Sequence, residues 1–508
     1  MTRATVLTCL VVISAAAADA APDRASCQQL ASALTLHRAT VTAAGAVDAG
    51  SFMPPSASGE GAPRAITNLP AFCRVQLTLT PSSDSDIKAE VWMPLAGWNG
   101  KFQEVGNGAF AGSIQYGALG EAVRRGYAAA STDAGHTVAD ASFALGHPEK
   151  LIDFGYRAVH ETAVQAKTTI TSFYQAPPRL SYFNGCSGGG RMAFQELQMF
   201  PDDFDAILAG APAWDRVNES LAYLYKWTAT HERPESMIPP EKYPVLHRAA
   251  LAACDALDGL KDGLIGNPLA CHFNPKVTQC TNGDGPDCLT APQVDAAAKI
   301  YEGVKHPKTG ALIFAGLEPG SELSWKAASA GPEASTVGTD VLKYMLFQDA
   351  HYDYRTFDLA RDWDRVHALD SQALSPSNAD ISPFVARGGK LLIYHGWADQ
   401  NVAPRSSVDY YNRLLATTGR QKVDAAVRMF MAPGMAHCSG GEGPNVFDAL
   451  SALEQWREKG VAPTSILATH STNGVVDRSR PLCPYPQIAK YRGTGSIDQA
   501  ENFVCATP

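Results

Sequence analysis

The sequence predicts an α/β protein: a doubly wound, mainly parallel sheet carrying a large inserted lid domain. Three observations point there. Short apolar runs recur and end at glycine, segments with helical spacing stand between them, and one long central stretch breaks the alternation. In chain order, "DIKAEVWMPL" (86–95) alternates and reads as a strand. "YAAASTDAG" (127–135) is a short apolar run that closes on Asp-Ala-Gly. "HETAVQAKTTITSFY" (160–174) has apolar residues at helical spacing. "RLSYFNG" (179–185) is a strand stopped by glycine, "RMAFQELQMF" (191–200) a helix ended by Pro201, and "FDAILAGAP" (204–212) a buried strand. "GGKLLIYHGWAD" (388–399) and "VRMFMAPGMAHC" (427–438) are two more strands running into turns. The stretch 214–377 departs from this rhythm, with four cysteines and many Pro, Gly and Asp residues. It reads as a lid domain inserted between sheet segments 21–213 and 378–508.

The first residues, MTRATVLTCLVVISAAAADA, have the form of a signal peptide over 1–20: Arg3, an apolar run from Val6 to Ala16, and Ala18-Asp19-Ala20 as the cleavage site. The run is too short for a bilayer span. Cys9 follows threonine and sits too early for a lipid anchor. The reading is a secreted or periplasmic protein with no membrane partner. Of eleven cysteines, Cys9 leaves with the leader and ten remain. An even number in an exported chain signals disulfides, and the absence of any C-x-x-C argues against zinc. Sequence alone does not fix five pairings. Proximity favours Cys254 with Cys271, Cys280 with Cys288, and Cys483 with Cys505; Cys27 with Cys73 and Cys186 with Cys438 follow by elimination. A net charge of −9 without a basic run excludes nucleic acid and anionic membranes as partners. One glycosylation sequon is present, Asn218-Glu219-Ser220.

Chemistry enters at "FNGCSGGGRM" (183–192). Gly185-Cys186-Ser187-Gly188-Gly189 is G-x-S-x-G, a weak pattern alone but a strong one between a strand and a helix, where it makes a nucleophile elbow. The glycines let backbone approach backbone while serine takes a strained conformation. The helix start turns the Gly188 N–H toward a developing oxyanion. A serine hydroxyl needs a base, and the base an orienting carboxylate. Asp399 closes the strand "LLIYHGWAD" and His437 lies in the loop after the next strand, in the order Ser, Asp, His. His395, inside a strand, reads as a packed core histidine. His470 lacks the preceding turn glycines.

Taken together, Cys186-Ser187, Asp399 and His437-Cys438 resemble the signature of the tannase/feruloyl esterase family of α/β-hydrolases, which also contains the hydrolase of mono(2-hydroxyethyl) terephthalate. "WNGKF", "DFDAILAGAP", "CDALDGLKDG", "PGMAHCSGG" and "RPLCPYPQIAKYRG" are similar to that family's blocks, from about Cys27 to Cys505. The resemblance implies a serine esterase acting on small aromatic esters such as feruloyl, other hydroxycinnamoyl or galloyl esters, free or attached to plant polysaccharide or tannin. It also implies a second oxyanion donor in the loop after "WNGKF". Ala109 is favoured over Gly108 for this role, although the family often has glycine at Ala109. In "CDALDGLKDGLI" (254–265), Asp255, Asp258 and Asp262 offer oxygen ligands without His or Cys, which suits calcium; composition alone leaves a solvated Asp-Gly loop equally open. The resemblance implies a structural calcium in the lid, with the carbonyls of Leu260 and Leu264 completing the shell and no organic cofactor. Trp325, Tyr344, Phe347 and Tyr352 are candidates for substrate wall or lid core alike. The alternatives are a terephthalate monoester hydrolase, another exported serine esterase or peptidase, and a binding protein on the same fold.

Overall fold

The computed structural model describes residues 23–508 except 56–62, Ala111 and Ala330. The leader at 1–20, with Cys9, lies outside the described residues. The main sheet has nine strands: β1 (Ala39–Val47), β2 (Phe72–Leu79), β3 (Ile87–Pro94), β4 (Lys101–Val105), β5 (Ala128–Thr132), β6 (Leu180–Cys186), β7 (Ala206–Gly210), β8 (Lys390–Gly396) and β9 (Val427–Ala432). Their spatial order is β1-β2-β3-β5-β4-β6-β7-β8-β9. The run from β5 to β9 is parallel, and β1, β2 and β3 add an antiparallel edge.

Strands of the parallel part are apolar on both faces because helices cover both. Side chains alternate between two cores, as the two-residue period of a strand requires. Phe183, Ile207, Leu391 and Ile393 enter one core with helix α1 (Ala158–Tyr174) and helix α2 (Gly188–Met199). Tyr182, Leu208 and Leu392 enter the other, where Leu450, Leu453 and Trp456 of a C-terminal helix pack. Close packing is also why this chain is rich in glycine at its elbow. A Cβ on Gly185 would lie 2.6 Å from the Gly189 carbonyl oxygen, and one on Gly190 would lie 2.5 Å from that of Gly210.

Between β7 and β8 the chain adds no described strand to this sheet. Residues of the insertion belong to more than one hydrophobic core. Helix α3 (Arg216–His231) sends Val217, Leu221 and Leu224 into the main core, which Val341, Leu342, Met345 and Leu346 also join. Ile238, Tyr243, Leu246, Ile300 and Trp325 form a smaller core of their own. Trp325 is therefore insertion core, and Tyr344, Phe347 and Tyr352 pack against the main one. The sequon residue Asn218 is engaged: its amide donates to Asp215 at 3.1 and 3.0 Å, and its oxygen lies 2.9 Å from His367 Nε2.

Five disulfides join Cys27–Cys73, Cys186–Cys438, Cys254–Cys271, Cys280–Cys288 and Cys483–Cys505. Four close loops of 46 residues or fewer; Cys186–Cys438 spans 252. No helix among the described residues is long and apolar enough to cross a membrane.

Candidate active site

Strand β6 runs into α2 through Ser187, whose φ of 63° and ψ of −118° place a non-glycine residue in a strained region. The surroundings hold it there. Ser187 N donates to Gly210 O at 2.9 Å, and Ser187 O accepts from Arg191 N at 3.0 Å. A Cβ on Gly189 would stand 2.9 Å from Asn107 O, so the elbow sits directly on the loop that follows β4. In that loop Ala109 has a φ of 46°, and the Ala109 N would lie 3.0 Å from a Cβ on Gly188. Gly188 and Ala109 thus come together beside Ser187. The left-handed backbone at Ala109 is the physical reason a glycine suits that position.

Asp399 is wholly buried at the end of β8. Its Oδ1 accepts from the N–H groups of Asn401 at 2.7 Å and Val402 at 3.0 Å. Its Oδ2 faces two histidines: His437 Nδ1 at 2.7 Å and His395 Nε2 at 3.0 Å. Burial would raise this carboxyl. The charge of His437 and the hydrogen bonds from both rings outweigh that and hold it well below the usual carboxylate range. His437 moves the opposite way. Burial works against its charged form, but the charge and hydrogen bond of Asp399, helped by Glu219, raise it above the ordinary histidine value. An imidazole whose Nδ1–H is committed to a carboxylate offers Nε2 as a base.

Ser187, Gly188, Ala109 and His437 line one cavity of about 360 Å³. The Cys186–Cys438 bond, with a Cα–Cα distance of 6.1 Å, ties the residue before Ser187 to the residue after His437. Helix α3 supplies the opposite wall with Arg216, Glu219 and Tyr223. Arg216 donates to Glu219 at 3.2 Å and to Val337 O at 2.8 Å, so its charge is neutralised inside the cavity. Arg191, also at the wall, spends its guanidinium on the carbonyls of Phe154, Gly155 and Ala373. Sequence reading missed Arg216 and Glu219. Their i, i+3 spacing foretells a pair on a helix but not which way the helix faces. His395 is buried, as its place in a strand predicts; what the sequence did not reveal is that its ring also bonds Asp399.

In the insertion, Asp255 accepts from Asp262 N and Gly263 N, Asp258 from Leu260 N, and Asp262 from Leu264 N. Asp262 also pairs with Arg480. Burial first, then the charges of Asp262 and Asp255, push the Asp258 carboxyl up to about 6. A small cavity of about 50 Å³ is lined by Asp258, Leu260, Asp262 and Leu264. This oxygen-only donor set and its crowding of like charges suit a hard cation. The one described His/Cys/Asp/Glu group whose ligand atoms all lie within 4.8 Å is elsewhere, at His160, Glu196 and Asp203. A shared ion would therefore have to draw the loop carboxylates together.

The family model described as tannase and feruloyl esterase matches residues 73–506. The chain belongs to the tannase and feruloyl esterase family. It is therefore a carboxylic ester hydrolase on the α/β-hydrolase fold. An uncharacterised esterase of Xanthomonas campestris is 38% identical over 95% of this chain and 91% of its own length. A probable feruloyl esterase B-1 of Aspergillus oryzae is 31% identical over 87% of this chain and 85% of its own. The crystal structure of feruloyl esterase B from Aspergillus oryzae superposes with a TM-score of 0.88 at 31% identity, covering 95% of this esterase and 100% of that chain.

Proposed function

We propose that this esterase hydrolyses esters of phenolic acids, feruloyl and other hydroxycinnamoyl esters first and galloyl esters second, through Ser187, His437 and Asp399. His437 Nε2 takes the Ser187 proton as the hydroxyl attacks the ester carbonyl. The N–H groups of Gly188 and Ala109 receive the oxyanion, each such donor being worth about 3 kcal/mol. The proton passes to the leaving alcohol, and water then releases the acid by the same route in reverse. The observation that carries this reading is the buried Asp399–His437 pair at 2.7 Å, on the same cavity as Ser187. Likeness to feruloyl esterase B over nearly the whole chain supports the aromatic acyl group. Neutralisation of Arg216 by Glu219 favours an uncharged phenolic ring over the free carboxylate of a terephthalate monoester.

The same proposal includes a structural calcium held by Asp255, Asp258, Asp262 and the carbonyls of Leu260 and Leu264, bracing the insertion. It also includes export to an oxidising compartment, which five disulfides support. The test is a substrate panel of methyl ferulate, methyl caffeate, methyl gallate, mono(2-hydroxyethyl) terephthalate and a short aliphatic ester, run with wild type, Ser187→Ala and His437→Ala. Turnover led by the phenolic esters and lost in both variants supports the proposal. Preference for the terephthalate or aliphatic ester, or an active Ser187→Ala enzyme, overturns it.

A further inference from the structure

The acid that orients His437 serves two rings at once. His395 sits on β8 four residues before Asp399, with no exposed surface. Its Nε2 faces two acceptors, Asp399 Oδ2 at 3.0 Å and Val402 O at 3.1 Å. A ring nitrogen between two oxygens that can only accept must carry the hydrogen. On the other side, Nδ1 lies 2.8 Å from Ser407 Oγ, whose hydroxyl can turn to donate. Ser407 is itself wholly buried. Ser407 therefore selects the tautomer that points N–H at Asp399.

We propose that His395 is a positioning residue for ester hydrolysis. Its Nε2–H fixes Oδ2 of Asp399 against His437 and moderates that oxygen's pull on the His437 proton, so that His395 sets the pH at which His437 becomes a base. The proposal rests on the triad reading above. The two backbone donors on Asp399 both reach Oδ1, so they leave Oδ2 to the rings. Removing His395 leaves His437 as the sole side-chain donor to Oδ2 among the described residues. Two consequences follow from elementary electrostatics. The carboxylate becomes more basic toward His437, which strengthens the charged form of that ring and moves its titration upward. The oxygen also loses one of the contacts that hold it in place, in a wholly buried site where no solvent replaces it.

Other groups act on His437 as well. From α3, Glu219 raises it and Lys226 lowers it, and Lys226 Nζ also donates to the carbonyls of Gln400 and Asn401. Arg216 shares the cavity but is paired with Glu219. None of these touches Oδ2 of Asp399, so all stay constant when His395 alone is changed.

The experiment measures kcat and KM for methyl ferulate against pH in wild type, His395→Phe, His395→Gln and Ser407→Ala, with thermal melts of each. Phenylalanine keeps the ring shape without the donor, and glutamine keeps a donor near the Nε2 position. His395→Phe is expected to move the acid limb of kcat to higher pH by about half a unit or more, and to cut kcat at pH 6 about threefold or more with KM nearly unchanged. Ser407→Ala is expected to move the limb the same way by less, and His395→Gln to restore the wild-type limb. Where His395→Phe does not fold, the other two variants decide. An unmoved limb in folded His395→Phe and Ser407→Ala overturns the proposal, as does His395→Gln behaving like His395→Phe. Active Ser187→Ala or His437→Ala enzyme would instead overturn the triad on which it rests. Inactive triad variants beside unmoved His395 and Ser407 profiles would overturn this proposal alone.

Discussion

Replacing Cys186 and Cys438 together by alanine separates two roles of one disulfide. The bond spans 252 residues, so chain entropy assigns it about 5 kcal/mol of stability. Cys483–Cys505 spans 22 residues and is assigned about 3 kcal/mol by the same argument, and it joins neither the Ser187 elbow nor the His437 loop. If both bonds acted only through the unfolded chain, the two alanine pairs would differ in melting temperature and nothing else. The structure adds a local term. Cys186 precedes Ser187 and Cys438 follows His437, and their Cα atoms are held 6.1 Å apart. A displacement of about 1 Å between catalytic groups can cost about a hundredfold in rate. The assay is kcat on methyl ferulate at a temperature where circular dichroism shows every variant folded. The Cys186→Ala/Cys438→Ala enzyme should lose about a hundredfold in kcat, and the Cys483→Ala/Cys505→Ala enzyme should keep it within about threefold. Near-normal kcat in the folded Cys186→Ala/Cys438→Ala enzyme would refute the local term and leave the bond as a staple only.

Ala109→Gly relieves a left-handed backbone at a φ of 46° and keeps its N–H, so urea melts should show about 0.5–1 kcal/mol of added stability with little change in kcat. A destabilised variant would contradict that account. Chelation should lower the melting temperature of wild type, and calcium at about a hundred times its Kd should restore about 2.7 kcal/mol. Asp258→Asn should abolish that response, and a wild type indifferent to chelator would remove the ion. His247 Nδ1 lies 2.9 Å from Glu322 and its Nε2 3.0 Å from Glu442, in the loop after His437. Burial opposes its charge, but these two carboxylates raise it to about 9. A raised value contributes stability below the ordinary histidine range and loses it as pH rises through about 9. Glu442 is half exposed, so the contribution is about 1–2 kcal/mol. The fall in melting temperature between about pH 7 and about pH 10 should therefore be shallower in His247→Gln, and an equal slope would count against the linkage.

The parts of this molecule that were legible in its sequence are those whose physics is local. Strands β6 to β9 are short apolar runs ended by glycine or a turn because both faces are buried, and that burial writes itself into consecutive residues. The elbow was legible for the same reason: Gly185, Gly189 and Gly190 mark places where backbone touches backbone. Strand β1, "ATVTAAGAV", was not. It is an edge strand of small residues, and its order comes from pairing with β2 rather than from its own pattern. The internal packing of the insertion was not legible for a related reason. A break in rhythm marks where it starts and stops but not that Val217, Leu221 and Leu224 of α3, with 341–346, join the sheet's core while Ile238, Tyr243, Leu246, Ile300 and Trp325 form a smaller one. The active-site wall depends on that division, since Arg216 and Glu219 reach the cavity only because Val217, Leu221 and Leu224 anchor α3 against the main core. His395 lies between the two cases. Its spacing of four residues from Asp399 was visible, but the turn that follows β8, closed by Asp399 N donating to Gly396 O at 3.2 Å, is what brings the carboxylate back to the ring. A Cβ on Gly396 would lie 2.2 Å from Met435 O, so the glycine that ends β8 also admits the loop carrying His437. One close backbone approach thus positions Asp399, His395 and His437 together. Substitution of Gly396 should accordingly disturb all three, which no reading of them as separate motifs would foretell.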